Sequence, residues 1–243
     1  IAINIINDSS TASDGICDIE RSKHLVGVVT DFIVNNKESI FDLIKVLKHG
    51  NHCETYPINV TVLGLGYANC MGISYEELLE FGLGLFLQDI GMRRLAPSII
   101  NKPDKLSEEE FAIVKKHPEI GYQILRDTGN VPLESYMLAM LHHENLDGSG
   151  YPYGLEGNDI EYLSRISRVV DVYNALISHR PYGSAVSDEK ACGVMREEME
   201  GVFDTDILDS FFEFLWSANS NLGKGGYCSL SNLEISQPAF KDA

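Results

Sequence analysis

Three histidines and two aspartates offer this chain its most specific chemistry. His142 and His143 are adjacent at the end of an apolar stretch and lead into Glu144 and Asp147-Gly148-Ser149-Gly150-Tyr151-Pro152. Neighbouring residues of a helix point about 100° apart, so the pair can serve two sides of one metal cluster. Equally, the imidazoles can cap the last carbonyls of a helix. Asp89 follows the apolar run Phe81 to Leu87, and Asp171 interrupts Ile166, Val169, Val170, Val172 and Tyr173. A carboxylate in such surroundings is costly unless it is paired or metal-bound. For Asp171 the alternative is an ion pair with Arg168 three residues earlier; for Asp89 it is a turn role before Gly91. His117 precedes Pro118, at a junction where a new helix can begin. Together these five side chains form the mixed nitrogen and oxygen set that iron, manganese or zinc prefers. An ion that bridges phosphate oxygens and activates water suits phosphodiester hydrolysis.

The elements that must position these residues read as helices. Residues 24–48 carry Leu25, Val28, Val29, Phe32, Ile33, Ile40, Leu43, Ile44 and Leu47 at three-and-four spacing, and residues 58–71 continue the pattern. Ser74 with Glu77 and Ser107 with Glu110 mark two helix starts as capping boxes; Leu106 and Phe111 stand where a hydrophobic staple would place them. Further helices fit 135–143, 160–179, 186–201 and 205–217. Residues 144–159, with four glycines and Pro152, read as an exposed loop. Met137, Met140 and Met195 read as core. Ile1 to Ile6 fits one short strand, residues 7–18 a loop, and the Asn-, Ser- and Gly-rich stretch after 218 a weakly structured tail. The expectation is a mostly α protein with one main domain.

Composition narrows the partners. Of 243 residues, 36 are acidic and 19 are Lys or Arg, a formal net charge of −17. Such a field does not favour DNA or RNA, whose phosphates need a cationic surface. An anionic substrate needs local cations or metals. No apolar run approaches the roughly 18–20 residues of a membrane span. Cys17, Cys53, Cys70, Cys192 and Cys228 form no CxxC pair, which argues against a disulfide framework or structural zinc and for a reducing cytoplasm. The chain starts at Ile1 and is read as part of a longer protein.

The motifs together resemble the HD-GYP family. The resemblance rests on His142-His143-Glu144, Asp147 to Pro152, Gly154-Leu155, Arg165-Ile166, Val170-Asp171 and Arg180-Pro181-Tyr182. It extends to Asn101-Lys102-Pro103, Leu106, Glu109-Glu110 and Lys116-His117-Pro118. It covers roughly residues 22–216 and implies an all-α, HD-superfamily helical bundle with a short irregular N-terminal segment. The implied organisation is 1–21 as the end of a preceding region, 22–217 as the domain and 218–243 as a tail. Family members hydrolyse cyclic di-GMP at a two- or three-metal centre, often behind a sensor or receiver domain.

The departures are concentrated in one place. The pair that names the family is Gln88-Asp89 here, and the family's upstream metal histidine aligns with Tyr56. His52 stands where three-metal members often carry glutamate. One helical turn from Tyr56, it is either a substitute ligand or a solvated helix-end histidine. Met92 replaces a phosphate-binding lysine and Gly183 a common arginine. One metal position therefore keeps only Asp89 and Asp171, whereas the other keeps Asp89, His117, His142 and His143. The resemblance implies one firmly bound iron or manganese ion and a second site that is weak or empty. It implies Asp89 as the catalytic residue and Gly150, Tyr151 and Arg180 as substrate contacts. Gly150, Tyr151 and Pro152 form an expected docking loop for a partner such as a diguanylate cyclase domain, and a homodimer is a further candidate assembly. The expected function is degenerate: binding cyclic di-GMP or a related nucleotide, or docking a protein, with weak or absent turnover. The alternative is an active metal-dependent cyclic di-GMP phosphodiesterase.

Overall fold

A computed structural model describes the backbone of residues 18–36, 52–178 and 185–220, and the side chains of 18–36, 56–178 and 185–217. The described residues form helices and no strand; an isolated bridge pairs Asp147 with Glu156. In chain order the helices are α1 (Ile19–Asn35), α2 (His52–Cys70), α3 (Tyr75–Leu87), α4 (Pro97–Ile100) and α5 (Glu108–Val114). They continue with α6 (His117–Thr128), α7 (Leu133–Leu141), α8 (Tyr162–Ile177), α9 (Asp188–Gly193) and α10 (Thr205–Ser220). A 3₁₀ turn, Ile90–Arg94, follows α3. The all-α expectation holds among the described residues. The expected strand at Ile1–Ile6 and the tail beyond 220 lie outside the described residues, as does the stretch 37–48.

Both capping boxes form. Ser74 accepts from the Glu77 amide at 3.3 Å and Ser107 from the Glu110 amide at 3.2 Å, while each glutamate reaches back to the serine N–H. Each box satisfies two amides that a helix start leaves without partners. Glu110 also accepts from Lys102 at 2.5 Å, which ties α5 to the chain before it. Two boundaries differ from the periodicity. α2 begins at His52 and carries Pro57 inside it, where proline leaves the carbonyl four residues earlier without its helical N–H. The single helix expected over 186–201 is α9 followed by a π turn, Val194–Glu198. Phe111 is 44% exposed and turns its ring toward the loop after α7 rather than into the core.

One cluster joins α2, α8 and α10 through Tyr67, Tyr173, Phe211 and Phe214, all buried, with α3 contributing Phe81 and Leu85. A second joins α1, α3, α6 and α7 through Val26, Leu83, Leu87, Leu125 and Ala139. Met140 and Met195 are buried, as expected of core methionines. α3 serves both clusters and is buried from Phe81 through Leu87, the pattern of a central helix. Each such side chain contributes about 1.5–3 kcal/mol. The consequence for function is positional: α3 cannot shift without opening two cores, and it ends at Gln88 and Asp89. Among the described residues no helix is long and apolar enough to cross a membrane.

Candidate metal centre

Asp89 follows α3 as the N-cap of the 3₁₀ turn and makes no side-chain cap hydrogen bond there. The turn role considered for it is therefore not what its carboxylate does. Its Oδ1 instead lies 3.3 Å from His117 Nε2 and 3.7 Å from His142 Nε2. Gly91 makes this approach possible. A Cβ at that position would stand 2.0 Å from the His117 carbonyl oxygen and 2.6 Å from the Gly121 nitrogen. Only a residue without a side chain lets the turn press onto the first turn of α6, where His117 sits.

The two buried histidines are oriented alike. His117 Nδ1 lies 2.8 Å from the Val114 carbonyl and His142 Nδ1 lies 2.9 Å from the Ala139 carbonyl. A carbonyl can only accept, so each Nδ1 carries the hydrogen and each Nε2 presents a lone pair. Those two Nε2 atoms are 3.2 Å apart. Facing lone pairs beside a carboxylate repel unless a cation lies among them. His143 completes the group, in which one ligand atom from each of Asp89, His117, His142 and His143 lies within 4.8 Å of all the others. Neighbouring ligands of a transition ion at about 2.1 Å stand roughly 3.0–3.5 Å apart in octahedral or tetrahedral geometry. The observed spacings of 3.2 and 3.3 Å fall in that range, and the 3.7 Å spacing lies just beyond it.

The electrostatics agree with ligand duty. Desolvation opposes ionisation of Asp89, but its close approach to the His117 and His142 rings outweighs it and holds the carboxyl well below the usual range. Burial pushes the His143 imidazole well below its ordinary value, so it stays neutral. A neutral imidazole and an ionised carboxylate are the forms that bind metal.

Asp171 is not brought into this group of four. Its Oδ1 accepts from the Tyr56 hydroxyl at 2.5 Å and from Gln88 Nε2 at 2.8 Å, and Gln88 Oε1 in turn accepts from Ser167 at 3.1 Å. Gln88 is 2% exposed, so this is an interior network. The ion pair considered between Asp171 and Arg168 is replaced: Arg168 donates its Nε to Asn145 Oδ1 at 2.9 Å. Tyr56 and Gln88 had read as two lost ligands. In the fold they are two donors that meet the Asp171 charge.

The loop after α7 closes over His143. Glu144, a buried carboxylate, accepts from the Tyr153 amide at 2.7 Å and the Leu155 amide at 3.0 Å, and the Tyr151 amide donates to the His143 carbonyl at 3.2 Å. Gly150 fits because a Cβ there would lie 2.3 Å from the Asn145 nitrogen and 2.6 Å from the His143 oxygen. The Tyr151–Pro152 bond is cis. Tyr151 is stacked on His143 at 4.6 Å and 27°, and burial pushes its phenol up, so it remains protonated. Phe111 and Lys115 of the α5 face stand beside it. The sequence reading missed Glu144 as the loop's anchor, and Lys115 altogether. The i, i+4 spacing of Phe111 and Lys115 was the available signal. Arg180, Gly183 and the His52 side chain lie outside the described residues.

Comparison with known proteins places this geometry. The profile of the HD domain family matches residues 47–207, well over half of the chain. The chain belongs to the HD domain family. Within it, the similarity runs to HD-GYP proteins. A cyclic di-GMP phosphodiesterase of Pseudomonas aeruginosa is 30% identical over 194 residues, covering 80% of this chain and 47% of that protein. The cyclic di-GMP phosphodiesterase response regulator RpfG of Xanthomonas campestris is 37% identical over 144 residues, 59% of this chain and 38% of the regulator. This HD domain chain thus spans about half the length, or less, of these curated relatives. Among solved structures, an HDG"Y"P protein from Bdellovibrio bacteriovorus superposes with a TM-score of 0.72 at 19% identity, over 88% of this chain and 69% of that one. That likeness establishes the shared fold.

Proposed function

We propose that this HD domain, running from about residue 22 to 217, binds one divalent ion and a cyclic dinucleotide and hydrolyses it weakly or not at all. The observation that supports this most is the Asp171 carboxylate held by Tyr56 and Gln88. Seating an ion there means breaking two hydrogen bonds to a charged group, each worth about 1.5–3 kcal/mol, with only a neutral amide and a protonated phenol beside it. The other position has four suitable ligands. Iron or manganese at Asp89, His117, His142 and His143 supplies Lewis acidity toward a phosphoryl oxygen.

This chain's own residues then divide the work. Asp89 is the proposed catalytic carboxylate, if any turnover occurs, because it lies between the buried histidines and solvent. Tyr151 and Gly150 line the ligand's approach, with Arg180 as a further phosphate contact. Met92 offers no charge where the family pattern carries lysine. Removing one preorganised donor costs roughly 10²–10³ in rate, and here an ion and a lysine are both missing. The names of the Pseudomonas and Xanthomonas relatives support cyclic di-GMP as the nucleotide. With a net charge of −17, the ion is needed for its phosphates to bind at all.

A docking role for Gly150, Tyr151 and Pro152, with a diguanylate cyclase domain as partner, is the second reading. The exposed ring of Tyr153 at the edge of the loop favours it. Tyr151 itself faces His143, which favours the nucleotide. The test is Tyr56→His combined with Gln88→His, assayed with cyclic di-GMP after manganese loading. The proposal expects turnover to rise at least tenfold over the parent chain. Equal turnover, with the parent already fast, supports an active phosphodiesterase instead.

A further inference from the structure

The helix beside the metal centre carries two residues that neither the metal cluster nor the loop requires. Phe111, on α5, keeps 44% of its surface exposed, although it is a large aromatic side chain in reach of a folded loop. Its ring meets Tyr151 edge-on, with centroids 6.4 Å apart at 80°. Lys115, one turn later, holds its ammonium 5.0 Å from the Phe111 centroid and 5.4 Å from the Tyr151 centroid. Tyr151 is in turn stacked on His143, 4.6 Å away. His143, Tyr151 and Phe111 therefore form a ladder of rings from the ligand cluster out to solvent, capped on the outside by a cation. Lys115 makes no ion pair among the described residues, in a chain with 36 acidic side chains.

We infer that Phe111 and Lys115 form the nucleobase wall of the site, with Phe111 stacking a purine and Lys115 selecting guanine over adenine. This rests on the reading that the site takes a cyclic dinucleotide. A phosphodiester held at the four-ligand cluster has its flanking base one nucleoside away, which is where the outer rungs of the ladder stand. Aromatic stacking serves any base, because every base has a π-face. The ammonium adds discrimination. Guanine offers the acceptors O6 and N7 on one edge, whereas adenine replaces O6 with an amino donor that an ammonium cannot approach. The wall is a specificity device, separate from the residues that hold the ion.

The test uses the full chain loaded with manganese and measures calorimetric affinity for cyclic di-GMP and cyclic di-AMP. Lys115→Met and Phe111→Ala are both surface changes; metal content and melting temperature are read on each sample to verify the fold. The parent chain is expected to prefer cyclic di-GMP by about tenfold or more. Lys115→Met should weaken cyclic di-GMP by about tenfold and leave cyclic di-AMP unchanged. Phe111→Ala should weaken both by roughly tenfold. Parent-like affinities in both variants overturn the inference while leaving nucleotide binding intact. An equal loss for both ligands in Lys115→Met overturns base selection, because a phosphate contact does not distinguish the bases. A parent chain that binds neither nucleotide overturns the nucleotide reading, and this inference with it.

Discussion

At the residue scale, the site is decided by protonation and by which group donates to which. His143 is kept neutral by burial. Below the ordinary histidine value of about 6.5, the unfolded chain takes up a proton that the folded chain refuses. Stability therefore rises with pH through that window and falls on acidification, by at most about 1.4 kcal/mol per pH unit for this one group. Asp89, whose carboxyl is held low, contributes stability above the usual aspartate range and loses it only as pH drops through its depressed value. Between pH 7 and 5 the histidine term governs. Melting of the metal-free protein should move to lower temperature across that range, and His143→Gln should flatten the dependence. An unchanged slope in the variant would contradict a buried, neutral His143. Glu144 is the second test at this scale. Its two amide acceptances hold the loop over His143, so Glu144→Ala should weaken nucleotide binding at least tenfold while manganese content stays near that of the parent. Loss of metal together with nucleotide would mean that the loop and the cluster are one unit.

At the element scale, the centre is a meeting of three helix ends. α3 delivers Asp89, α6 begins with His117, and α7 closes on His142 and His143. Gly91 sets the distance between the first two. Gly91→Ala must move the 3₁₀ turn away from α6, since its Cβ would overlap the His117 backbone. Overpacking of this kind costs about 1–3 kcal/mol, or roughly 2–12 °C in melting temperature for a chain of this size. The variant should also bind manganese more weakly, and calorimetric titration of the metal checks this. Full metal affinity at a lowered melting temperature would separate the packing role of Gly91 from any effect on the site. Much of this scale was legible beforehand. Both capping boxes, the junction at His117 and the grouping of Asp89, His117, His142 and His143 are local or motif-borne, and local signals survive folding. Gln88 and Tyr56 were legible only as absences. Their hydrogen bonds to Asp171 join residues 83 and 115 positions apart, a relation that spacing along the chain does not carry. The contact of Phe111 with Tyr151 was not legible for a similar reason: it joins residues forty positions apart.

At the scale of the whole molecule, a strongly acidic protein gathers three imidazoles around one carboxylate, over a two-part core. The same fold in its HD-GYP relatives carries cyclic di-GMP phosphodiesterase names. Next to the cluster, a tyrosine and a glutamine answer Asp171 with hydrogen bonds, and the proposed loss of turnover rests on that network. The central claim is thus a stoichiometry with a catalytic consequence. The most direct measurement counts metal per chain in anaerobically purified protein reconstituted with iron(II) or manganese(II), and follows cyclic di-GMP on the same sample with linear dinucleotide and GMP resolved. The account predicts about one ion per chain, retained nucleotide and product close to that of a His143→Ala control. Two ions per chain with product well above that control would contradict it.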